Sequence, residues 1–174
     1  MGDEVWYATI VGVIVLSGLS IFSILYLAKM RRTKTNAAWK QAATELGLDF
    51  TPVTRIFGKY RMSGVIGKQL SCSVWAYTEP NGQGGYTTFM NYDVRFSQPL
   101  NKVKELLTPN IQSKLLEVNN VLKKVVVSDD SVNSIGMHGF IRKSEILVQN
   151  VKLLIQLAEL IIPNEEVDSI FEEI

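Results

Sequence analysis

The sequence predicts an α+β protein. A single N-terminal transmembrane helix precedes a small domain, in which helices pack on an antiparallel sheet built from a three-strand meander plus a hairpin. Residues 5–28 carry no charged side chain. Segments between residues 60 and 96 alternate apolar and polar residues, which is typical of half-buried antiparallel strands. Helical patterns flank these strands without the regular strand–helix–strand alternation of a doubly wound fold.

The uncharged segment Val5–Ala28 is long enough to cross a bilayer. With a rise of about 1.5 Å per residue, it forms a helix of about 36 Å, against a hydrocarbon core of about 30 Å. Trp6, Tyr7 and Tyr26 lie near its ends, and aromatic rings favour the headgroup region. A cleaved signal peptide needs a basic start and a shorter apolar core, whereas the start here is acidic.

A basic cluster follows the apolar segment and predicts its orientation. Positively charged residues are retained on the cytoplasmic side. We therefore expect a single-pass protein of the cell membrane (inner or plasma), with its N terminus outside and its C-terminal domain in the cytoplasm. The cluster is also a candidate contact for lipid headgroups, and its members are Lys29, Arg31, Arg32 and Lys34. The expected division is an extracytoplasmic N terminus (1–4), a transmembrane helix (5–28), a basic linker (29–35) and a soluble α+β domain (36–174).

A second helix is expected to begin the domain. Asn36 is a suitable N-cap, and apolar residues recur at the helical period as far as Leu46. Gly47 suits the left-handed residue that commonly ends a helix. Because the linker before this helix is short, the domain should lie close to the bilayer.

Three strands are expected next. The first covers about Tyr60–Ile66 and ends in a tight turn at Gly67-Lys68. The second covers about Gln69–Tyr77, and a glycine-containing loop at 78–85 separates it from the third, at Tyr86–Phe96.

The alternation in these strands places several aromatic residues on one face. A register with Trp75 opposite Phe89 brings Tyr77 onto the same face. Such a face binds single-stranded nucleic acid when basic residues interleave the rings, but only Arg95 and Lys68 lie near in the sequence. The net charge is only +1. We therefore expect no nucleic-acid binding, and either burial under a helix or a protein-binding patch.

A helix, a hairpin and a longer helix are expected in the C-terminal half. The helix begins with a threonine cap followed by proline, and the hairpin turns at two aspartates. The helix is expected from Thr108-Pro109 to about Asn119-Asn120. The two strands of the hairpin are expected at about Lys124–Ser128 and Ser131–Met137, joined by Asp129-Asp130. The longer helix is capped by Ser144 and runs to about Ile162, before Pro163, and a short final helix follows from Asn164.

The long helix has more apolar surface than an ordinary surface helix. Its polar residues fall on an arc of about 80° at the helical period. Either the helix is sandwiched between the sheet and another helix, or its remaining apolar surface contacts a partner. We favour the first arrangement. The candidate interaction surface combines this helix with the aromatic residues of the meander, and comprises Trp75, Tyr77, Phe89, Leu153, Leu157 and Leu160.

No catalytic or metal-binding constellation is evident in the sequence. His138 is the only histidine and Cys72 the only cysteine, which excludes a Cys/His zinc site and an intrachain disulfide. Cys72 falls among the apolar positions of its strand and should be a buried small hydrophobe. The glycines of 82–85 lack the context of a phosphate-binding loop, and Asp129-Asp130 lacks the spaced ligands of a calcium loop. We expect no catalytic residue, metal site or cofactor.

Hydrophobic motifs follow one another in a recognisable order: Trp39-x-x-x-Ala43-x-x-Leu46-Gly47-Leu48-x-Phe50, Leu115-Leu116, Val125-Val126-Val127 before an acidic turn, and a leucine-rich helix. This order resembles that of uncharacterised small membrane-anchored proteins of unknown function in prokaryotes, over most of residues 37–162. The resemblance implies a single α+β domain. It implies no activity, cofactor or catalytic residue.

The expected function is a non-enzymatic, membrane-anchored interaction or scaffold module in the cytoplasm. It is held in the lipid bilayer by residues 5–28 and associates with a protein partner or with itself. The alternative is a membrane-tethered sensor of a small ligand, or an enzyme, with a carboxylate-based site near Glu79, Asp93 or Asp129. A third hypothesis is a domain that contacts lipid through the basic cluster and exposed apolar residues.

Overall fold

The computed structural model describes residues 2–54, 58–100, 103–137, 141 and 143–162. The predictions for His138 and for a final helix from Asn164 lie outside these residues. The elements in chain order are α1 (Gly2–Leu46), β1 (Asp49–Thr51), β2 (Tyr60–Ile66), β3 (Leu70–Pro80), β4 (Tyr86–Phe96), α2 (Val103–Leu106), α3 (Pro109–Leu122), β5 (Val125–Val127), β6 (Ser131–Met137) and α4 (Ser144–Ile161).

The α+β class with an antiparallel sheet is confirmed. Six strands form one sheet in the order β1-β2-β3-β4-β6-β5, and every neighbouring pair is antiparallel. The predicted meander is β2-β3-β4, and the β5–β6 hairpin adds to the free side of β4. The helices α1, α3 and α4 pack on one face, which we call the covered face. No helix among the described residues packs on the other, which we call the open face.

The first helix is longer than predicted. The expected span, linker and second helix are one unbroken helix, α1, from Gly2 to Leu46. The basic segment 29–35 is therefore helical. Asn36 is an interior residue rather than an N-cap, and its side-chain amide bonds both the N–H and the carbonyl oxygen of Val53, at 3.2 and 3.1 Å. No glycine or proline lies between Gly18 and Gly47, so nothing in that stretch favours a break.

The two parts of α1 differ in their surroundings. The N-terminal part is long and apolar enough to cross a membrane: an 18-residue window has a mean hydropathy of 2.5, and none of it is buried. The C-terminal part enters the core of the domain. Trp39 is fully buried, its ring centroid lies 5.4 Å from that of Tyr60, and its indole N–H donates to the carbonyl oxygen of Ile141 at 3.3 Å.

The end of α1 confirms the prediction for Gly47. This glycine has φ +68°, and the N–H of the next residue, Leu48, donates to the carbonyl oxygen of Ala43 at 2.8 Å. This is the hydrogen bond that closes a helix ended by a left-handed residue. The chain then reverses into β1, a three-residue edge strand that the sequence did not predict.

The bounds of β2, β4 and β6 agree with the prediction, but the register of the meander does not. Trp75 pairs with Asn91, and Phe89 pairs with Tyr77, so the expected opposition of Trp75 and Phe89 is wrong by two residues. Ile66 pairs with Leu70, so the turn contains Gln69 as well as Gly67-Lys68.

The two later helices begin and end close to the predicted residues. Thr108 caps α3 by accepting a hydrogen bond from the N–H of Ile111 at 3.4 Å, as expected, and the helix continues to Leu122. The N-cap of α4 is Lys143, without a side-chain hydrogen bond, so Ser144 is the first helical residue rather than the cap.

The long helix α4 is sandwiched, as favoured from its sequence. It packs against the sheet on one side and against α1 and α3 on the others. Leu147, Leu154 and Leu157 are fully buried in this layer. A polar pair lies among them: the Asn150 amide donates to the Tyr92 hydroxyl at 3.0 Å.

Candidate functional site

The open face of the sheet is the surface that the helices leave uncovered. Strand pairing arranges its side chains in rows across the strands. Among the described residues, one row is Arg61, Trp75, Asn91 and Ile135; the next is Ser63, Ser73, Asp93 and Asn133; a third is Val65, Ser71, Arg95 and Ser131.

A cleft of about 640 Å³ lies on this face, over β2, β3 and β4. A smaller cleft of about 300 Å³ continues it across β4 to β6. Trp75, Asp93 and Arg95 line both clefts and so form the boundary between them. The charged side chains that line the larger cleft are Lys59, Arg61, Asp93 and Arg95.

The larger cleft carries more positive than negative charge among the described residues that line it. Asp93 is only 7% exposed, and its carboxylate accepts a hydrogen bond from Arg95 Nε at 2.7 Å. This hydrogen bond and the charge of Asp93 raise the pKa of Arg95. Among the described residues, neither Lys59 nor Arg61 forms an ion pair. An anionic group is therefore the ligand chemistry that this cleft favours.

One buried acceptor on the same face has no partner within the described parts of the chain. Asn91 Oδ1 is buried and accepts no hydrogen bond there. The side chain lies between Trp75 and Ile135 in its row. A buried acceptor without a donor costs about 1–3 kcal/mol. Asn91 lines the smaller cleft and not the larger one.

The predicted interaction surface is divided between two sides of the domain. Trp75, Tyr77 and Phe89 lie half-buried on the open face, where the rings of Tyr77 and Phe89 stack with centroids 5.5 Å apart. No described helix covers them. The leucines lie on α4, beyond the covered face: Leu160 is exposed, Leu153 half-buried and Leu157 fully buried. Leu157 is therefore a core residue and does not belong to an exposed surface.

The three candidate carboxylates do not converge. Asp93 lies in the floor of the cleft, paired with Ser73 across the strands. Glu79 is exposed farther along β3, at about 20 Å from Ser73 with a rise of about 3.3 Å per residue. Asp129 is exposed in the β5–β6 turn. The geometry therefore supplies one carboxylate to the cleft, and that carboxylate is already bound to Arg95.

The β5–β6 turn is formed as its aspartates predicted. Asp130 accepts a hydrogen bond from the Ser128 hydroxyl at 2.7 Å, and this bond is the main cause of the lowered pKa of Asp130. No group of three or more potential metal ligands occurs among the described residues.

The remaining candidates occupy structural positions. Cys72 is buried as expected, and burial with the nearby charge of Asp93 raises the pKa of its thiol to about 12. In the basic cluster, Lys29, Arg31 and Lys34 are exposed. Arg32 is half-buried, and its guanidinium donates to the carbonyl oxygen of Thr54 at 2.7 Å. This arginine links the helix to the chain that follows β1.

Two cations of the cleft, Lys59 and Arg61, were not predicted from the sequence. Arg61 is the direct neighbour of Trp75 on the open face, and Lys59 lines the same cleft. The available signal was the alternation of β2, in which Tyr60 and Met62 are buried and Arg61 between them must point to the opposite face.

In comparisons with family models, with curated proteins and with solved structures, nothing matches this chain. The resemblance to small membrane-anchored prokaryotic proteins therefore stays an expectation from the motifs alone, and the functional argument rests on the geometry.

Proposed function

We propose that this protein is a membrane-anchored interaction module whose open face receives an acidic segment of a partner protein. The observation that carries the proposal is the cleft on the open face, where Lys59 and Arg61 lie without ion-pair partners among the described residues. The helix α1 supplies the anchor, since its apolar part is exposed and long enough to cross a bilayer.

The side chains of the cleft suit an extended acidic peptide. The guanidinium of Arg61 can bind a carboxylate through two parallel hydrogen bonds, while Lys59 acts as a second positive charge. Trp75 offers an apolar surface beside them.

The proposed orientation places the domain in the cytoplasm. Lys29, Arg31, Arg32 and Lys34 follow the apolar segment directly, and positive residues at that position are retained on the cytoplasmic side. Because α1 is continuous, the basic cluster and the domain belong to one rigid helix rather than to a flexible tether. The cleft is thereby held at a constant distance from the membrane.

Site-specific photo-crosslinking in native membranes tests the proposal. A photoreactive amino acid replaces Ser71, which lines the cleft, in the full chain; the control replaces Leu116, which is 65% exposed on α3. We expect an adduct from position 71 only. The adduct should disappear in Arg61→Glu and persist in Lys40→Glu, which reverses an exposed cation on α1.

Three results would contradict the proposal. They are an adduct that survives Arg61→Glu, an adduct that forms equally from position 116, and the absence of any adduct from position 71. The first would exclude charge recognition at Arg61. The second would exclude a preference for the open face, and the third would exclude a stable partner there.

A second candidate function is the sensing of a small anionic ligand in the same cleft. The volume of about 640 Å³ lies within the range of small-molecule sites. In this case, small dicarboxylates added to the purified full chain raise its Tm by binding the folded state. The rise should be absent in Arg61→Glu. No rise with the wild-type chain would remove this candidate.

A further inference from the structure

The β3–β4 hairpin projects beyond the rest of the sheet. β2 begins at Tyr60, opposite Ala76, and β6 ends at Met137, opposite Phe89. Beyond these positions, the strand segments 78–80 and 86–88 form sheet pairs only with each other among the described residues. A two-stranded ribbon alone is marginally stable in water, so contact with a further surface would stabilise this projection.

The directions of the strands show that the β3–β4 hairpin projects toward the apolar, N-terminal part of α1. After Gly47 the chain runs back along α1, because Arg32 bonds Thr54 and Asn36 bonds Val53. β1 therefore points toward the apolar end of the helix. β2 reverses this direction and β3 restores it, since each pair is antiparallel. The tip of the β3–β4 hairpin thus points toward the apolar end.

The position of the tip along the axis of α1 follows from the packing of Tyr60 on Trp39, whose ring centroids are 5.4 Å apart. Tyr60 pairs with Ala76, and β3 continues from there to Pro80 for about 13 Å at about 3.3 Å per residue. At about 1.5 Å per helical residue, a strand of this length running alongside α1 reaches from Trp39 back to about Met30. The tip is therefore level with the basic cluster at the end of the apolar segment.

The composition of the tip suits the headgroup region of a bilayer. Between residues 78 and 89 the only charged side chain is Glu79. Tyr86 is 68% exposed at the base of the tip, and tyrosine favours the membrane–water interface. Asn81 Oδ1 accepts hydrogen bonds from the N–H groups of Gln83 and Gly85, at 3.1 and 3.0 Å. These backbone groups therefore need not lose a water partner when the tip leaves bulk water.

The geometry points to the segment Pro80–Tyr86, which we call the hairpin tip, as a second membrane contact, resting in the headgroup region of the bilayer that α1 crosses. This inference rests on the proposed anchor. Two contacts, one through α1 and one through the hairpin tip, hold the tilt of the domain constant. The open face then stands upright on the membrane, and its cleft opens sideways to partners rather than toward the lipid.

Depth measurements on the full chain in liposomes of phosphatidylcholine with phosphatidylglycerol test the inference. A spin label is attached at Gln83→Cys in the hairpin tip. The matched control is Lys68→Cys, in the exposed β2–β3 turn at the opposite end of β3. A third labelled variant, Leu16→Cys, reports whether the apolar part of α1 lies in the bilayer. The buried Cys72 is expected to stay unlabelled. Relaxation by a water-soluble nickel complex should be several-fold weaker at position 83 than at position 68, and weakest at position 16.

The outcomes separate the inference from the proposed function. If position 16 is protected but position 83 relaxes as strongly as position 68, the hairpin contact is wrong while the anchor stands. If position 16 itself relaxes as in water, the anchor is wrong and the inference falls with it. Protection at positions 16 and 83, with full relaxation at position 68, supports both.

A second pair of variants distinguishes lipid contact from local protein structure. Tyr86→Ser removes the interfacial aromatic ring, and Val65→Ser removes an apolar side chain that is 72% exposed at the far end of the sheet. We expect Tyr86→Ser to increase relaxation at position 83 several-fold without changing position 16, and Val65→Ser to change neither. Unchanged protection in Tyr86→Ser would overturn the role of that ring at the interface.

Discussion

The two faces of the sheet are made from alternate residues of the same strands, yet they differ in what they contact. Met62, Val74 and Tyr92 form one row of the covered face, and each is at most 1% exposed. Their chain neighbours Arg61, Trp75 and Asn91 form the adjacent row of the open face. The covered face accounts for the stability of the domain. The open face keeps charged and aromatic side chains, and Asn91 Oδ1 on this face has no hydrogen-bond partner among the described residues.

The largest contrast is expected between two tryptophans. Trp39→Ala should lower the free energy of unfolding by about 3–5 kcal/mol, because the ring is fully buried where α1 packs against β1 and β2. Trp75→Ala should cost about 1 kcal/mol or less, because the ring lies half-buried on the open face. Urea denaturation of the full chain in detergent micelles measures both values. Equal losses would show that the open face is covered in the folded protein.

A smaller effect is expected within the covered face, at its polar pair. Asn150→Ala removes the donor to the Tyr92 hydroxyl and should cost about 1–3 kcal/mol. Gln149→Ala, at the exposed neighbour, should stay within about 0.5 kcal/mol of the wild type. The double variant Asn150→Leu with Tyr92→Phe should recover most of the loss, since it removes both polar groups together. A loss in the double variant equal to the sum of the losses in Asn150→Leu alone and in Tyr92→Phe alone would contradict this interpretation.

Thiol labelling compares the two faces without measuring stability. The pKa of Cys72, raised to about 12, keeps its thiol protonated at neutral pH, and the side chain is buried. Iodoacetamide should therefore label it only after unfolding. Ser71→Cys, the adjacent position on the open face, should be labelled rapidly in the folded chain. Equal labelling of both positions in the folded state would contradict the burial of Cys72.

The smallest effect is expected at the edge of the open face, in the β5–β6 turn. The Ser128 hydrogen bond lowers the pKa of Asp130 in the folded state, so its stabilising contribution is present above the unfolded pKa and is lost as pH falls through the folded pKa. The Tm of Asp130→Asn should therefore lie slightly below that of the wild type at about pH 6, and the difference should shrink as the pH falls below about 4. A difference that grows on acidification would contradict this sign.

The strands were predictable because alternation determines which residues face the core. The bounds of β4 follow from its own residues, and the same is true of β6. Register depends instead on how many residues each turn holds, and one additional residue after Gly67-Lys68 was sufficient to make the turn prediction wrong. Arg61 became the neighbour of Trp75 only through this register. A larger part of the fold than of the site was therefore predictable.

The joining of the two predicted helices was missed for a different reason. The basic segment 29–35 was interpreted by its charge, as a linker at a membrane surface, although lysine and arginine are good helix formers. The absence of glycine and proline between Gly18 and Gly47 was the signal for one helix. The contacts of Arg32 and Asn36 with the chain after β1 explain why the domain stabilises this segment. Such long-range contacts are not visible in a local pattern.

The helix α1 carries the proposed anchor without interruption into the core of the domain, and hydrogen exchange of the full chain in liposomes measures this continuity. The backbone amides of residues 29–38 bridge the apolar segment and Trp39. We expect slow exchange throughout this segment, comparable to that of residues 39–46. Fast exchange across 29–35, with protection on both sides, would show a flexible linker and contradict both the fixed placement of the cleft and the contact of the hairpin tip with the membrane.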